Sequence, residues 1–101
     1  MKVKENKIIE AIFHIMENEK GYLDAKMTPE VIYTDTGIKP DVLEKTLKEH
    51  FGMSTYTLIS MYRLQHASGL LRRGVSYEDT YEPSGFESMD SMVQAIDSIA
   101  V

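Results

Sequence analysis

The sequence predicts an all-α fold on three observations. Apolar residues recur at spacings of three and four through most of the 101 residues, the period that gathers them on one face of a helix. Capping residues and Pro stand where such segments begin, and Gly stands where they end. No run of alternating β-branched residues is long enough to make a strand.

The elements follow in chain order. Ile8, Ile9, Ile12, Phe13, Ile15 and Met16 share one face of a first helix from about Lys4 to Glu19, and Gly21 marks its end. Thr28, Pro29 and Glu30 supply an N-cap, a first-turn Pro and a carboxylate favoured by the helix dipole, so a short second helix runs to about Thr36 and stops at Gly37. Pro40 opens a third helix with Val42, Leu43 and Leu47 inward and Lys45, Lys48 and Glu49 outward, closed by Gly52. Ser54 caps the longest periodic segment, in which Leu58, Ile59, Tyr62, Ala67, Leu70 and Leu71 share a wide apolar face as far as Gly74. Leu58, Ile59, Leu70 and Leu71 are expected to be buried. Ser76 and Asp79 resemble a capping box with Asp in place of Glu, opening a brief fifth helix that Pro83 cannot continue. Ser88 caps a last helix whose apolar face is Met89, Met92, Val93, Ile96 and Ile99.

Composition narrows the class. With 43% hydrophobic and 27% charged residues the chain reads as one compact domain, of a size that buries roughly 60 to 65% of its unfolded surface. Cysteine is absent, which excludes disulfides, a thiol nucleophile and a Cys-based metal site. The apolar run from Ile8 to Met16 is interrupted by Glu10 and His14. It lacks both the continuous core of a signal peptide and the length of a membrane span, so no membrane partner and a cytoplasmic location are expected.

Charge is uneven along the chain. Residues 1 to 74 carry all 11 Lys and Arg against 10 Asp and Glu, a net of +1, whereas residues 75 to 101 carry six carboxylates and no basic residue, a net of −6. Lys and Arg that neutralise phosphates supply most nonspecific affinity for DNA. The C-terminal quarter therefore has the composition of a surface that avoids phosphate.

Two stretches share one layout. Residues 28 to 51 give a short helix, a Thr-Gly-Ile turn and a longer helix; residues 76 to 99 give a short helix, a Ser-Gly-Phe turn and a longer helix. Each is a helix-turn-helix pattern, the arrangement that puts a second helix in a major groove. From Gly37 to Ser54 the chain reads GIKPDVLEKTLKEHFGMS, in which Gly37, Pro40, Leu43, Lys48 and Gly52 fall on a known pattern, Lys45 stands at its Arg position and Leu47 replaces its Phe. Tyr62-Arg63-Leu64, the run from Ala67 to Leu71, Gly85-Phe86 and Ser88 extend the match. On these residues the chain resembles the DNA-binding domain of the AraC/XylS family of bacterial transcription regulators.

The resemblance implies one domain over 1–101, with a first helix-turn-helix lobe at 4–52, a linker helix at 54–73 and a second lobe at 76–100. It also implies a DNA-binding transcription regulator, not an enzyme, that meets duplex DNA mainly through the first lobe. The implied DNA contacts are Lys39, Asp41, Glu44, Lys45 and Lys48 in the first lobe and Ser88 and Gln94 in the second. Lys45 can read a guanine or reach a phosphate, and Lys39 and Lys48 can reach phosphate. Tyr33 and Tyr81 stand where the family has a small Ala beside each recognition helix, which implies a wider gap between the helices. Gln94 and Asp97 stand where the family tends to carry positive charge. A protein-interaction module of the same fold, whose acidic second lobe docks a basic partner, is the alternative. The chain has no room for a separate small-molecule effector domain, so the expectation is constitutive action or a fragment of a longer regulator.

Other chemistry has little support. His14, His50 and His66 lack the close pairing of a metal site, and neither a Gly-rich phosphate loop nor any cofactor motif occurs. Arg63 is expected to form a structural ion pair between the lobes, and Arg72 and Arg73 to complement the dipole of the linker helix.

Overall fold

Capping chemistry sets most of the boundaries. The computed structural model of the chain describes residues 3–99, and the regular elements among them are helical, with no strand. Six α-helices follow one another: α1 (Val3–Phe13), α2 (Pro29–Thr36), α3 (Pro40–Phe51), α4 (Thr55–Arg72), α5 (Tyr77–Thr80) and α6 (Met89–Ile99). Ala100, the expected end of the last segment, lies outside the described residues. The Thr28 hydroxyl accepts the Val31 N–H and starts α2, and the Ser54 hydroxyl accepts the Thr57 N–H and starts α4. Ser76 accepts from the Asp79 N–H, and Ser88 accepts from the Ser91 N–H, at α5 and α6. Each bond satisfies one of the N–H groups that a helix start leaves without an intrahelical partner.

The first segment departs from expectation. It is not one α-helix to Glu19: a π-helical turn over His14–Asn18 follows α1, with the Glu19 N–H donating to the His14 carbonyl at 3.0 Å. This wider turn keeps both Ile15 and Met16 buried. The chain then reverses at Lys20, whose φ of 52° is the left-handed conformation expected of Gly21, and Gly21 instead opens a 3₁₀ turn to Leu23.

Two apolar cores result, and α4 contributes to both. The larger joins Ile8, Ile12, Ile15 and Met16 to Ile32 of α2, Leu43 and Leu47 of α3, and Leu58 and Ile59 of α4. The smaller joins Ala67 of α4 to Phe86 and to Met92 of α6. The extents of 44 × 25 × 20 Å and the radius of gyration of 14.1 Å exceed the roughly 13 Å of a compact 100-residue domain, as two cores placed along one helix require.

Leu58 and Ile59 are buried as expected, but Leu70 and Leu71 are only half-buried. The second half offers the C-terminal part of α4 only the four-residue α5 and one face of α6 as cover. Leu71 therefore borders an open groove with Leu64, Tyr77 and Ile96. Within α6, Met92 is fully buried whereas Met89 is 38% exposed.

Candidate nucleic-acid interface

The exposed side of α3 follows from its own periodicity. Leu43, Thr46 and Leu47 turn inward, which leaves Asp41, Lys45 and Lys48, at spacings of four and three, on one solvent-facing stripe. Lys39 stands exposed at the N-cap and forms no side-chain cap bond. The ion pairs within 4.0 Å among the described residues are His14–Glu19 and His50–Glu5, so none of these three lysines is neutralised by an internal carboxylate. Tyr56, 67% exposed in the first turn of α4, is the most exposed large hydrophobic residue among the described residues.

Glu44 does not join that stripe. It is half-buried, and its two oxygens are engaged inside the fold. Oε2 accepts the Tyr33 hydroxyl from α2, and Oε1 accepts the Thr55 N–H at 3.0 Å at the start of α4. One carboxylate thus ties three helices together, and the expectation that Glu44 faces a base is replaced by a structural role. Tyr33, half-buried against the larger core, fills the place where the resemblance implies Ala and turns the added bulk into this bond.

The titration of the pair follows. Burial and the bond to Glu44 push the Tyr33 phenol from 10.0 up to about 12. For Glu44, burial acts upward, but donation from Tyr33 and from the Thr55 N–H outweighs it and holds the carboxyl below its ordinary 4.5. A depressed folded-state pKa contributes stability that is present above the unfolded value and is lost as pH falls through the folded value. Glu44→Gln, which leaves one acceptor for two donors, is expected to cost about 1 kcal/mol at neutral pH. It should also flatten the loss of stability on acidification below about pH 4. Urea melts of both proteins from pH 7 to pH 3 measure this; parallel pH profiles would remove Glu44 from the account.

Arg63 is structural, although not as an ion-pair partner. Its Nε donates to the Tyr22 carbonyl at 2.7 Å, and Nη2 donates to the carbonyls of Asp24 at 2.8 Å and Met27 at 3.1 Å. Burial lowers its pKa from the ordinary 12.5, in keeping with a guanidinium held by neutral acceptors. The bonds pin the α1–α2 connection to the middle of α4. On the same spot sits Gly85 of the α5–α6 turn, with φ of 90° and so little space that a Cβ would lie 2.1 Å from the Tyr22 oxygen. Neither contact has a local signature: the acceptors lie 41, 39 and 36 residues from Arg63.

The α6 surface differs from that of α3. Ser88 is half-buried and used as the N-cap, accepting from the Ser91 N–H at 3.0 Å with its hydroxyl 2.9 Å from that of Ser91. Asp90, Gln94 and Asp97 are exposed and fall on one stripe, and no cation follows Arg73 in the sequence. Gln94 is thus accessible, flanked by carboxylates. Arg72 donates to the Ser68 hydroxyl at 3.0 Å within α4. No helix among the described residues is long and apolar enough to cross a membrane.

Comparison of the chain with protein-family models, curated proteins and solved structures finds no match.

Proposed function

We propose that the chain is a DNA-binding transcription regulator of AraC type, in which α2–α3 and α5–α6 form two helix-turn-helix lobes joined by α4. In this reading α3 enters the major groove and α6 does not. The observation that carries it is the contrast between the two outward stripes. Lys39, Lys45 and Lys48 are exposed and form no ion pair among the described residues, while α6 presents Asp90, Gln94 and Asp97. Lys45 is the base-reading candidate, Lys39 and Lys48 hold phosphate, and Asp41 on the same stripe limits which bases are accepted, since a carboxylate can accept only from the amino groups of cytosine and adenine.

The second reading, a protein-interaction module of the same fold, is favoured by the net charge of −6 after residue 74. One double substitution tests where α6 lies, and under the second reading it should instead weaken binding to a basic protein partner. Gln94→Arg with Asp97→Lys raises the net charge of an exposed face by three, because a neutral and a negative residue both become cations. If α6 lies near the duplex, affinity for DNA rises and the salt dependence of binding steepens by about 1 to 2 units. The proposed arrangement keeps α6 away from DNA, so the expected change is below about half a unit by the same counting.

A further inference from the structure

Arg63 and Ser60 leave bonding capacity unused. Nε and both N–H groups of Nη2 serve the three carbonyls of the α1–α2 connection, while Nη1 has no acceptor among the described residues. Ser60, one turn earlier in α4, is 4% exposed, and its hydroxyl forms no hydrogen bond among the described residues. Helical hydroxyls elsewhere in the chain bond back to the preceding turn, Thr36 to the Ile32 carbonyl, Thr46 to that of Val42 and Thr80 to that of Ser76. The Ser60 hydroxyl does not, and it lines a cavity, whereas Thr55 Oγ1, away from that cavity, is the fully buried side-chain atom without a partner among the described residues.

Arg63 and Ser60 both line this cavity of about 160 Å³ between the two cores. Its apolar walls are Met27, Ile59, Phe86 and Ala95, and Glu87 also borders it. Glu87 is exposed and has no cation within 4.0 Å among the described residues. The residues around the cavity thus include an arginine with Nη1 unbonded, a serine with an unbonded hydroxyl and an unpaired carboxylate, beside an apolar lining. A simple carboxylate would satisfy Arg63 and be repelled by Glu87, and a simple amine would do the reverse. A ligand that carries both charges on groups attached to one carbon satisfies both. A cavity of this size holds a molecule about as large as benzene, which limits the ligand to roughly six to eight non-hydrogen atoms.

We propose that this cavity binds a small α-amino acid as its zwitterion, with the carboxylate on Arg63 Nη1 and the Ser60 hydroxyl, the ammonium at Glu87, and a short apolar side chain against Ile59 and Phe86. The walls come from the α1–α2 connection, α4 and the second half of the chain, so the bound ligand ties the two halves together. The inference is independent of whether α3 meets DNA.

The test is a titration of the whole ¹⁵N-labelled chain with L-alanine, followed through the amide signals of Ser60, Phe86 and Ser91. Binding in the millimolar range is expected for so small a ligand, with shifts that saturate. Propionate, which lacks the ammonium, and L-alanine methyl ester, which lacks the carboxylate, should each bind at least about tenfold more weakly. Glu87→Gln, an exposed change, should bring L-alanine down to the level of propionate. Ala95→Leu should fill the cavity and abolish binding with the helical circular dichroism unchanged; if that variant does not fold, Glu87→Gln still decides. Shifts that stay linear to about 50 mM, equal responses to the three compounds, or an unchanged L-alanine affinity in Glu87→Gln would each overturn the proposal.

Discussion

Gly85→Ala is expected to destabilise the chain by about 4 kcal/mol, the range reserved for changes that force backbone apart. Two costs add. A φ of 90° strains any residue with a Cβ by roughly 1 kcal/mol or more. The new methyl would also lie 2.1 Å from the Tyr22 carbonyl oxygen and 2.9 Å from the Leu23 Cα, both backbone atoms that no rotamer change can move aside. Gly74 is the internal control, because its φ is 89° and a Cβ there meets nothing within 4 Å. Gly74→Ala should therefore show the strain alone, about 1 kcal/mol. Each kcal/mol lowers the melting temperature of a domain this size by about 4 to 8 °C, so thermal melts of the two variants should differ by more than about 10 °C. Equal melting temperatures would mean that the α5–α6 turn does not press on the α1–α2 connection.

Arg63→Met is expected to cost about 2 to 3 kcal/mol. Methionine keeps much of the side chain's apolar stem, so the loss isolates the guanidinium. The carbonyls of Tyr22 and Met27 lose their donor in part-buried surroundings, at roughly 1 to 3 kcal/mol for each group left unsatisfied. The Asp24 carbonyl is exposed, and water replaces the donor there. Removing a partly desolvated charge offsets some of the total. Arg63→Lys restores charge but not the planar fork that reaches three acceptors at once, so it should recover less than half of the loss. Chemical denaturation measures both. Full rescue by Lys would show that charge, not the fork, matters at this position.

The sequence and the fold agree where the chemistry is local. Thr28, Ser54, Ser76 and Ser88 cap their own helices through the N–H group three residues on, a relation a linear reading contains. The alternation of Leu43 and Leu47 with Lys45 and Lys48 likewise fixes which side of α3 faces solvent. Agreement ends where a residue's partner is distant. Glu44 looks like any outward acid on α3 until the fold brings Tyr33 and Thr55 to it, each 11 residues away. Leu70 and Leu71 carry the same apolar signal as Leu58 and Ile59, and only the small size of the second half leaves them half-covered. The cavity beside Ser60 has no sequence signal, because its walls come from three separated segments.

The assignment of DNA contact to α3 alone is tested most directly by the salt dependence of wild-type binding to random duplex DNA. Lys39, Lys45 and Lys48 are the cations that α3 and its N-cap present. Each phosphate neutralised contributes about 0.9 to the slope of log affinity against log salt. A slope of about −2 to −3 is therefore the predicted result, falling by about 1 in Lys48→Ala. A slope of about −6 or steeper would contradict the account, because it would require cations that this face does not carry.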